Sequence, residues 1–142
     1  MRITFLTLFF FAATLSIAQT PIDGLQKNNL EYLELKEGEG YEFRSQIITE
    51  FDQAHASQDV NIKLSKEYTY VIVAIGDSNV PEVSLAIKTA KNASTKELQL
   101  EKGIAGQSVE LKPGNSGRFK ISINAKLSAG KTGFISFMVL RK

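Results

Sequence analysis

The amino-acid sequence predicts an all-β protein, an antiparallel two-sheet β-sandwich of jelly-roll type with about eight strands. From Tyr41 onward, apolar residues recur at every second position in short runs, which is typical of strands that bury one face. Turn-forming Gly, Asn, Asp and Pro residues separate these runs at intervals of roughly ten residues. The length of 142 residues fits one domain of this kind.

We expect three segments along the chain. Residues 1–18 predict a cleaved signal peptide, because Arg2 precedes a short apolar run and a small-residue cleavage site ends at Ala18. The run is short for a transmembrane helix, so an uncleaved anchor is the less favoured alternative. Residues 19–39 predict an N-terminal strap, in which Pro21–Lys36 fits an amphipathic helix or the start of a strand equally well. Residues 40–142 predict the sandwich, exported to the periplasm or out of the cell.

Within the sandwich, five runs alternate between apolar and polar residues: Val60–Leu64, Val83–Ile87, Leu98–Leu100, Val109–Leu111 and Phe119–Leu127. Two further runs, Tyr68–Ile75 and Phe134–Leu140, are apolar at nearly every position, so we expect them in the middle of a sheet covered on both faces. In the long run Tyr41–Phe51, Ile48 breaks the alternation. This predicts a bulge or bend between Ser45 and Ile48.

Composition excludes several classes of function. The chain has no Cys and one histidine, His55, which rules out disulfide scaffolds, thiol catalysis, thiolate metal sites and multi-histidine metal sites. The 17 basic and 15 acidic side chains nearly balance and form no long run of one sign. We therefore expect no nucleic-acid partner and, once the leader is removed, no stable membrane insertion.

Five groups of residues could have a chemical role. Gly76-Asp77-Ser78 and Gly114-Asn115-Ser116-Gly117 resemble turns around nucleophilic serines, but each needs a histidine base and His55 is the single candidate. Tight turns are the better interpretation of both. The other groups are a metal cluster of Asp52, His55 and Asp59, an acid pair of Glu50 and Asp52, and a sugar-binding face of Tyr32, Tyr41, Tyr68 and Tyr70. We favour a solvated loop over the metal cluster, and ordinary surface charge over the acid pair. For the tyrosines, we favour packing in the core over a sugar-binding face.

Three strand starts place a turn glycine within two residues of an aromatic: Gly40-Tyr41-Glu42-Phe43, Gly117-Arg118-Phe119 and Gly133-Phe134. Together with the block Leu64–Asp77 and the strand Val83–Ile87, their order resembles the bacterial pre-peptidase C-terminal (PPC)-like domains, over about residues 40–141. The resemblance implies a jelly-roll sandwich of a secreted protein. Members of that family usually accompany a catalytic domain.

Many members carry an Asp-x-Asp-Leu element after the strand that matches Tyr70–Ile75. The matching stretch here is Glu82-Val83-Ser84-Leu85, with one carboxylate where two are usual, whereas Ca²⁺ takes several carboxylates. What the resemblance implies is therefore a free-standing domain of the accessory or ligand-binding type.

Three hypotheses for function follow. The leading one is an exported, non-enzymatic accessory or ligand-binding protein whose partner is a protein or a polysaccharide. The second is a small secreted hydrolase that uses a pair of carboxylates. The third is a periplasmic structural or chaperone-like protein that acts by strand addition. A long unpaired strand edge without Lys or Pro would favour this hypothesis, and a protected edge would count against it. We expect no catalytic residue, no cofactor and no metal.

Overall fold

A computed structural model of the protein describes residues 21–88, 94–98 and 104–142. Within these residues the chain forms one helix, α1 (Pro21–Gly38), and eight strands. The strands are β1 (Glu42–Phe51), β2 (Ser57–Leu64), β3 (Tyr70–Gly76), β4 (Glu82–Ile87), β5 (Ser94–Glu97), β6 (Gly106–Leu111), β7 (Gly117–Lys126) and β8 (Gly133–Arg141). The predicted signal peptide, residues 1–18, lies outside the described residues.

The strands form two antiparallel sheets, which confirms the predicted all-β sandwich. The larger sheet has the order β1-β8-β3-β6-β5, and the smaller sheet has the order β2-β7-β4. The pairs β1–β8 and β3–β6 in one sheet and β2–β7 in the other are nested as in a jelly roll. Strand β5 joins this arrangement by pairing with β6. Among the described strands, β1 and β5 are thus the two edges of the larger sheet.

A core of apolar side chains fills the space between the two sheets. Alternate residues of β2, β3, β4, β6, β7 and β8 point into it, among them Ile72, Phe137 and Ile121. Successive side chains of a strand point to opposite faces, so the period-two runs of the sequence correspond directly to this core.

Helix α1 covers the other face of the larger sheet. Leu25 and Tyr32 of the helix belong to one buried cluster with Val73 of β3 and Met138 of β8. Strands β3 and β8 are therefore buried on both faces and lie inside the sheet, as their almost continuous apolar runs predict.

The structure decides between helix and strand for the segment before the sandwich. Leu25, Asn28, Asn29 and Tyr32 recur at helical spacing, and all four are buried on one side of α1. The helix closes where the backbone N–H of Tyr41 donates to the carbonyl of Lys36, 3.0 Å away. Gly40 makes this closure with a φ of 89°, a left-handed conformation that favours glycine.

No helix of the described residues is long and apolar enough to span a membrane.

Two sequence predictions need correction in detail. The bulge of β1 lies between Phe43 and Ser45, not between Ser45 and Ile48. Ile48 breaks the alternation because β1 carries apolar residues on both faces, while the ladder itself is regular there. Strand β5 consists of the polar residues Ser94–Glu97 rather than Leu98–Leu100, and Leu100 lies outside the described residues.

Candidate functional site

Strand β1 has a free edge. It is 10 residues long and pairs with β8 on one side, and no described strand pairs with its other side. Such an edge leaves backbone N–H and C=O groups available to another chain. Proteins commonly protect free edges with Lys, Pro or a β-bulge. Strand β1 contains neither Lys nor Pro, and its bulge lies near its N-terminal end, so the ladder from Ser45 to Phe51 is regular.

Apolar side chains are exposed on both faces of β1. Ile47 shares the face of Phe51, which points into the core between the sheets, whereas the register with β8 places Phe43 and Ile48 on the α1 face. The exposed fractions are 43% for Phe43, 47% for Ile47 and 38% for Ile48. No other described strand exposes a large apolar side chain. The same strand thus offers unpaired backbone and apolar contact surface.

The bulge of β1 changes the direction of the Arg44 side chain. Phe43 pairs with Leu140 and Ser45 pairs with Val139, so Arg44 is an extra residue in β1. Bulges of this kind commonly redirect a side chain. Here Arg44 and Ser45 both line a cleft at the end of the sandwich where β1 begins and β8 ends.

This cationic cleft has a volume of about 260 Å³. Ile62, Leu64, Tyr70 and Val139 contribute apolar surface to it. Arg44 of β1, Lys63 of β2 and Arg141 of β8 also line it. The described residues that line the cleft therefore carry three positive charges and no carboxylate.

Arg141 is held in a fixed position in the cationic cleft. Its guanidinium carbon lies 4.1 Å from the centroid of the Tyr68 ring, and Tyr68 packs edge-on against Tyr70. The Glu42 carboxylate lies 3.9 Å from Nε of Arg141, which is too far for a hydrogen bond. Nε is buried and has no hydrogen-bond partner among the described residues. Arg141 thus presents an oriented guanidinium with an unused donor.

The structure brings together part of the predicted metal cluster. Nδ1 of His55 lies 3.0 Å from Oδ1 of Asp52, and this hydrogen bond lowers the pKa of Asp52. Asp59 instead pairs with Lys120 at 2.6 Å, and this contact lowers the pKa of Asp59. Glu50, the other member of the predicted acid pair, is exposed on β1. In the described part of the chain, no three His, Asp or Glu side chains are close enough to hold a metal ion.

The two serine-containing motifs form turns with structural hydrogen bonds. The buried carboxylate of Asp77 accepts hydrogen bonds from two backbone N–H groups at 2.9 Å each, one of them that of Phe134. Oγ of Ser116 accepts a hydrogen bond from the backbone N–H of Lys66. Ser116 lies at the end of the sandwich with the cationic cleft, whereas His55 lies at the opposite end. The geometry therefore separates this serine from the histidine.

The four tyrosines do not share a surface. Tyr68 and Tyr70 pack against the core between the sheets, whereas Tyr32 and Tyr41 belong to the layer under α1. The hydroxyl of Tyr41 donates a hydrogen bond to Glu110 at 3.1 Å. Burial raises the pKa of Tyr32 and of Tyr41 to about 12, and for Tyr41 the hydrogen bond to Glu110 adds to this effect.

Sequence reasoning missed the cationic cleft. Arg44 and Lys63 occupy polar positions of their strands, and Arg141 follows an apolar run, so none of them stands out in the sequence. The cleft exists because β1 pairs with β8 and because β2 lies next to β1 across the sandwich.

Comparisons of the chain with known protein families, with curated proteins and with solved structures find no match. The inference of function therefore starts from the geometry of β1 and its cleft.

Proposed function

We propose that the protein is an exported, non-enzymatic accessory module that binds a partner protein by strand addition at β1. The observation that carries this proposal is the free edge of β1, long, without Lys or Pro, and apolar on both faces. In strand addition, main-chain hydrogen bonds provide affinity, and contacts of alternate side chains provide specificity.

The exposed apolar side chains support a strand as the occupant of this edge. An added strand would lie beside β1 in the plane of the larger sheet, and its alternate side chains would contact Ile47 on one face and Phe43 and Ile48 on the other. Removing such surface from water contributes roughly 25 cal/mol per Å². Both faces of β1 thus favour an extended segment over a globular surface.

The charges beside β1 favour a different protein over a second copy of this chain. Residues directly opposite each other in a β-ladder share a face. A second copy paired antiparallel along the length of β1 would place its Thr49, which carries no charge, opposite Ser45 on the face of the cationic cleft. Glu42, the acid of β1 on that face, would lie at the other end of the ladder, beside Phe51. A partner of different sequence can supply the missing negative charge.

The remaining parts of the proposal rest on the sequence and on the loops. The composition of residues 1–18 supports export, and the resemblance to PPC-like domains supports an accessory role. His55 pairs with Asp52 in an exposed loop, and the motif serine Ser116 lies at the other end of the sandwich. Ser78, the serine of the other motif, lies at the same end of the sandwich as His55. The separation of Ser116 from His55 therefore argues against a serine–histidine pair at the Ser116 motif alone.

The proposal is tested by cross-linking in the native envelope. The full chain is expressed with a photo-reactive amino acid at position 47 on β1 or, as a matched control, at position 95 on β5, the opposite edge of the same sheet. We expect one partner protein to cross-link from position 47 and not from position 95. The partner is then identified by mass spectrometry and purified.

Affinity for the purified partner gives the quantitative test. Ile48→Lys places a charge on the edge and should weaken binding at least tenfold, whereas Thr95→Lys on β5 should leave it unchanged. Equal cross-linking from both edges, or an affinity that Ile48→Lys does not alter, would contradict strand addition at β1. A cross-link between two copies of the chain would replace the proposed partner with a homodimer.

A further inference from the structure

We infer that the cationic cleft beside β1 binds a carboxylate carried by the added strand, and that this contact selects the partner. The inference rests on the proposed strand addition and assigns its specificity. The ligand group is the side chain of an Asp or Glu in the partner segment.

The charge of the cleft points to an anion. Arg44, Lys63 and Arg141 come from three different strands, and no acid is among the described residues that line the cleft. The Glu42 carboxylate, 3.9 Å from Nε of Arg141, lies outside this lining and is 73% exposed, so it pairs only weakly with one of the three cations. Three cations around one small volume repel each other, and a bound carboxylate relieves that repulsion. Arginine is suited to this role because its planar fork matches both oxygens of a carboxylate.

Arg141 provides the second observation. Its side chain is 24% exposed, and its Nε is buried without a hydrogen-bond partner among the described residues. A buried donor without an acceptor is unfavourable, so a carboxylate oxygen that displaces the side chains covering Nε would satisfy it. The Tyr68 ring stacked on the guanidinium already fixes its orientation, which lowers the entropy lost on binding.

The size of the cleft indicates a side chain rather than a separate ligand. At about 260 Å³ it is below the range of roughly 300–1,000 Å³ that is usual for pockets that hold whole small molecules. It also opens directly beside β1, since Arg44 and Ser45 belong to that strand. A single group that projects from a chain lying along β1 fits both facts.

The register of β1 assigns the position of the acid. Ser45 faces the inner side of the larger sheet, as Val139 does, and both residues line the cleft. The residue of an added strand that lies opposite Ser45 shares this face. We therefore expect Asp or Glu at that position, with β-branched or aromatic residues at the positions that contact Ile47 and Ile48.

A displayed library of random ten-residue peptides tests the inference. The full chain is used as bait in four forms: the wild type, Lys63→Gln as the cleft variant, Ile48→Lys as the edge variant, and Lys126→Gln as a charge-matched control on the smaller sheet. Arg141→Gln is a second cleft variant. Lys63 is exposed, so its substitution leaves the fold intact even where loss of Arg141 does not.

We expect the wild type and Lys126→Gln to select β-prone peptides with an acid at one fixed position. Lys63→Gln should select similar peptides without that acid, and Ile48→Lys should select none. For a selected peptide, changing its acid to the amide should weaken binding to the wild type at least tenfold and binding to Arg141→Gln much less.

The outcomes separate the two proposals. Selected peptides that pair with β1 but lack a fixed acid would overturn the carboxylate site and leave strand addition standing. A wild type that selects no peptide would overturn both. A third outcome is that the wild type selects no peptide but binds an oligogalacturonate, and that Lys63→Gln abolishes this binding. The ligand of the cleft would then be an acidic polysaccharide instead.

Discussion

Both faces of the larger sheet are buried at its central strands β3 and β8, and a buried side-chain amide on each face shows how the faces differ. On the face toward the smaller sheet, Gln107 accepts a hydrogen bond from the backbone N–H of Leu85 at 2.6 Å and donates one to Glu97 at 2.7 Å. On the face toward α1, the amide nitrogen and oxygen of Asn29 are buried without a hydrogen-bond partner among the described residues. The amide of Gln107 is thus hydrogen-bonded through both its oxygen and its nitrogen, whereas the buried amide of Asn29 is an unfavourable burial that is compensated elsewhere.

Two isoleucines of β3 allow the sharpest test of this difference. Ile72 faces the smaller sheet and Ile75 faces α1, and both are fully buried. Truncation of a buried isoleucine to alanine destabilises by about 2–5 kcal/mol, depending on how far the surroundings close over the cavity. We expect the loss of unfolding free energy for Ile72→Ala to be near the upper limit. The cavity would lie between two hydrogen-bonded sheets, whose strands cannot move inward to fill it. The loss of unfolding free energy for Ile75→Ala should be near the lower limit, because α1 can move toward the sheet and fill part of the cavity.

Denaturant unfolding of the two variants at neutral pH measures the effect. Equal losses of unfolding free energy would show that the helix layer is as rigid as the core between the sheets, and the comparison would fail.

The two buried amides provide the next test. Gln107→Leu removes the acceptor of the Leu85 N–H and the donor to Glu97, so we expect a loss of about 1–3 kcal/mol. Asn29→Leu replaces an amide without partners by an apolar group of similar size, and we expect a gain of about 1 kcal/mol. Melting temperatures of the two variants should therefore move in opposite directions. A destabilising Asn29→Leu would mean that this amide has a partner in the folded protein in solution.

Alkaline pH gives the smallest expected effect. Burial and the hydrogen bond to Glu110 raise the pKa of Tyr41 to about 12, from an ordinary value of about 10. The unfolded chain loses this proton first, so the stabilisation is fully present below pH 10 and is lost as the pH rises toward 12. Tyr41→Phe should make stability fall less steeply between these pH values.

Urea midpoints at pH 8, 10 and 11 for Tyr41→Phe and the wild type measure this slope. The difference between the two urea midpoints at pH 8 gives the effect of losing the hydrogen bond from Tyr41 to Glu110, because the tyrosine is not ionised at this pH in either state. If the urea midpoints of the two proteins fall equally between pH 10 and pH 11, Tyr41 does not remain neutral and buried in the folded protein.

The inter-sheet core was predictable because period-two alternation records which face of each strand is buried. Phe119–Leu127 and Val83–Ile87 are examples, and their apolar residues lie in that core. The central position of β3 and β8 was predictable for a related reason, since continuous apolar runs require cover on both faces. These features depend on burial of the residues themselves, and local sequence reports burial well.

Features that depend on tertiary pairing were not predictable. The helix α1 could not be distinguished from a strand, because its buried face includes Asn28 and Asn29 instead of apolar residues. The cationic cleft depends on the pairing of β1 with β8, which no local pattern encodes. Ile48 did signal something unusual in β1, but the sequence could not show whether a bulge or an exposed face caused it.

The pairing of β1 with β8 also governs when the protein can fold. The two strands are the first and the last of the sandwich in chain order, yet they are neighbours in the larger sheet, and β8 also separates β1 from β3. While β8 is still inside a ribosome or a translocation channel, β1 and β3 have no common neighbour and the sheet cannot close. Such non-local pairing slows folding until synthesis is complete. For the export proposed above, this strand order would give the unfolded chain time to cross the membrane.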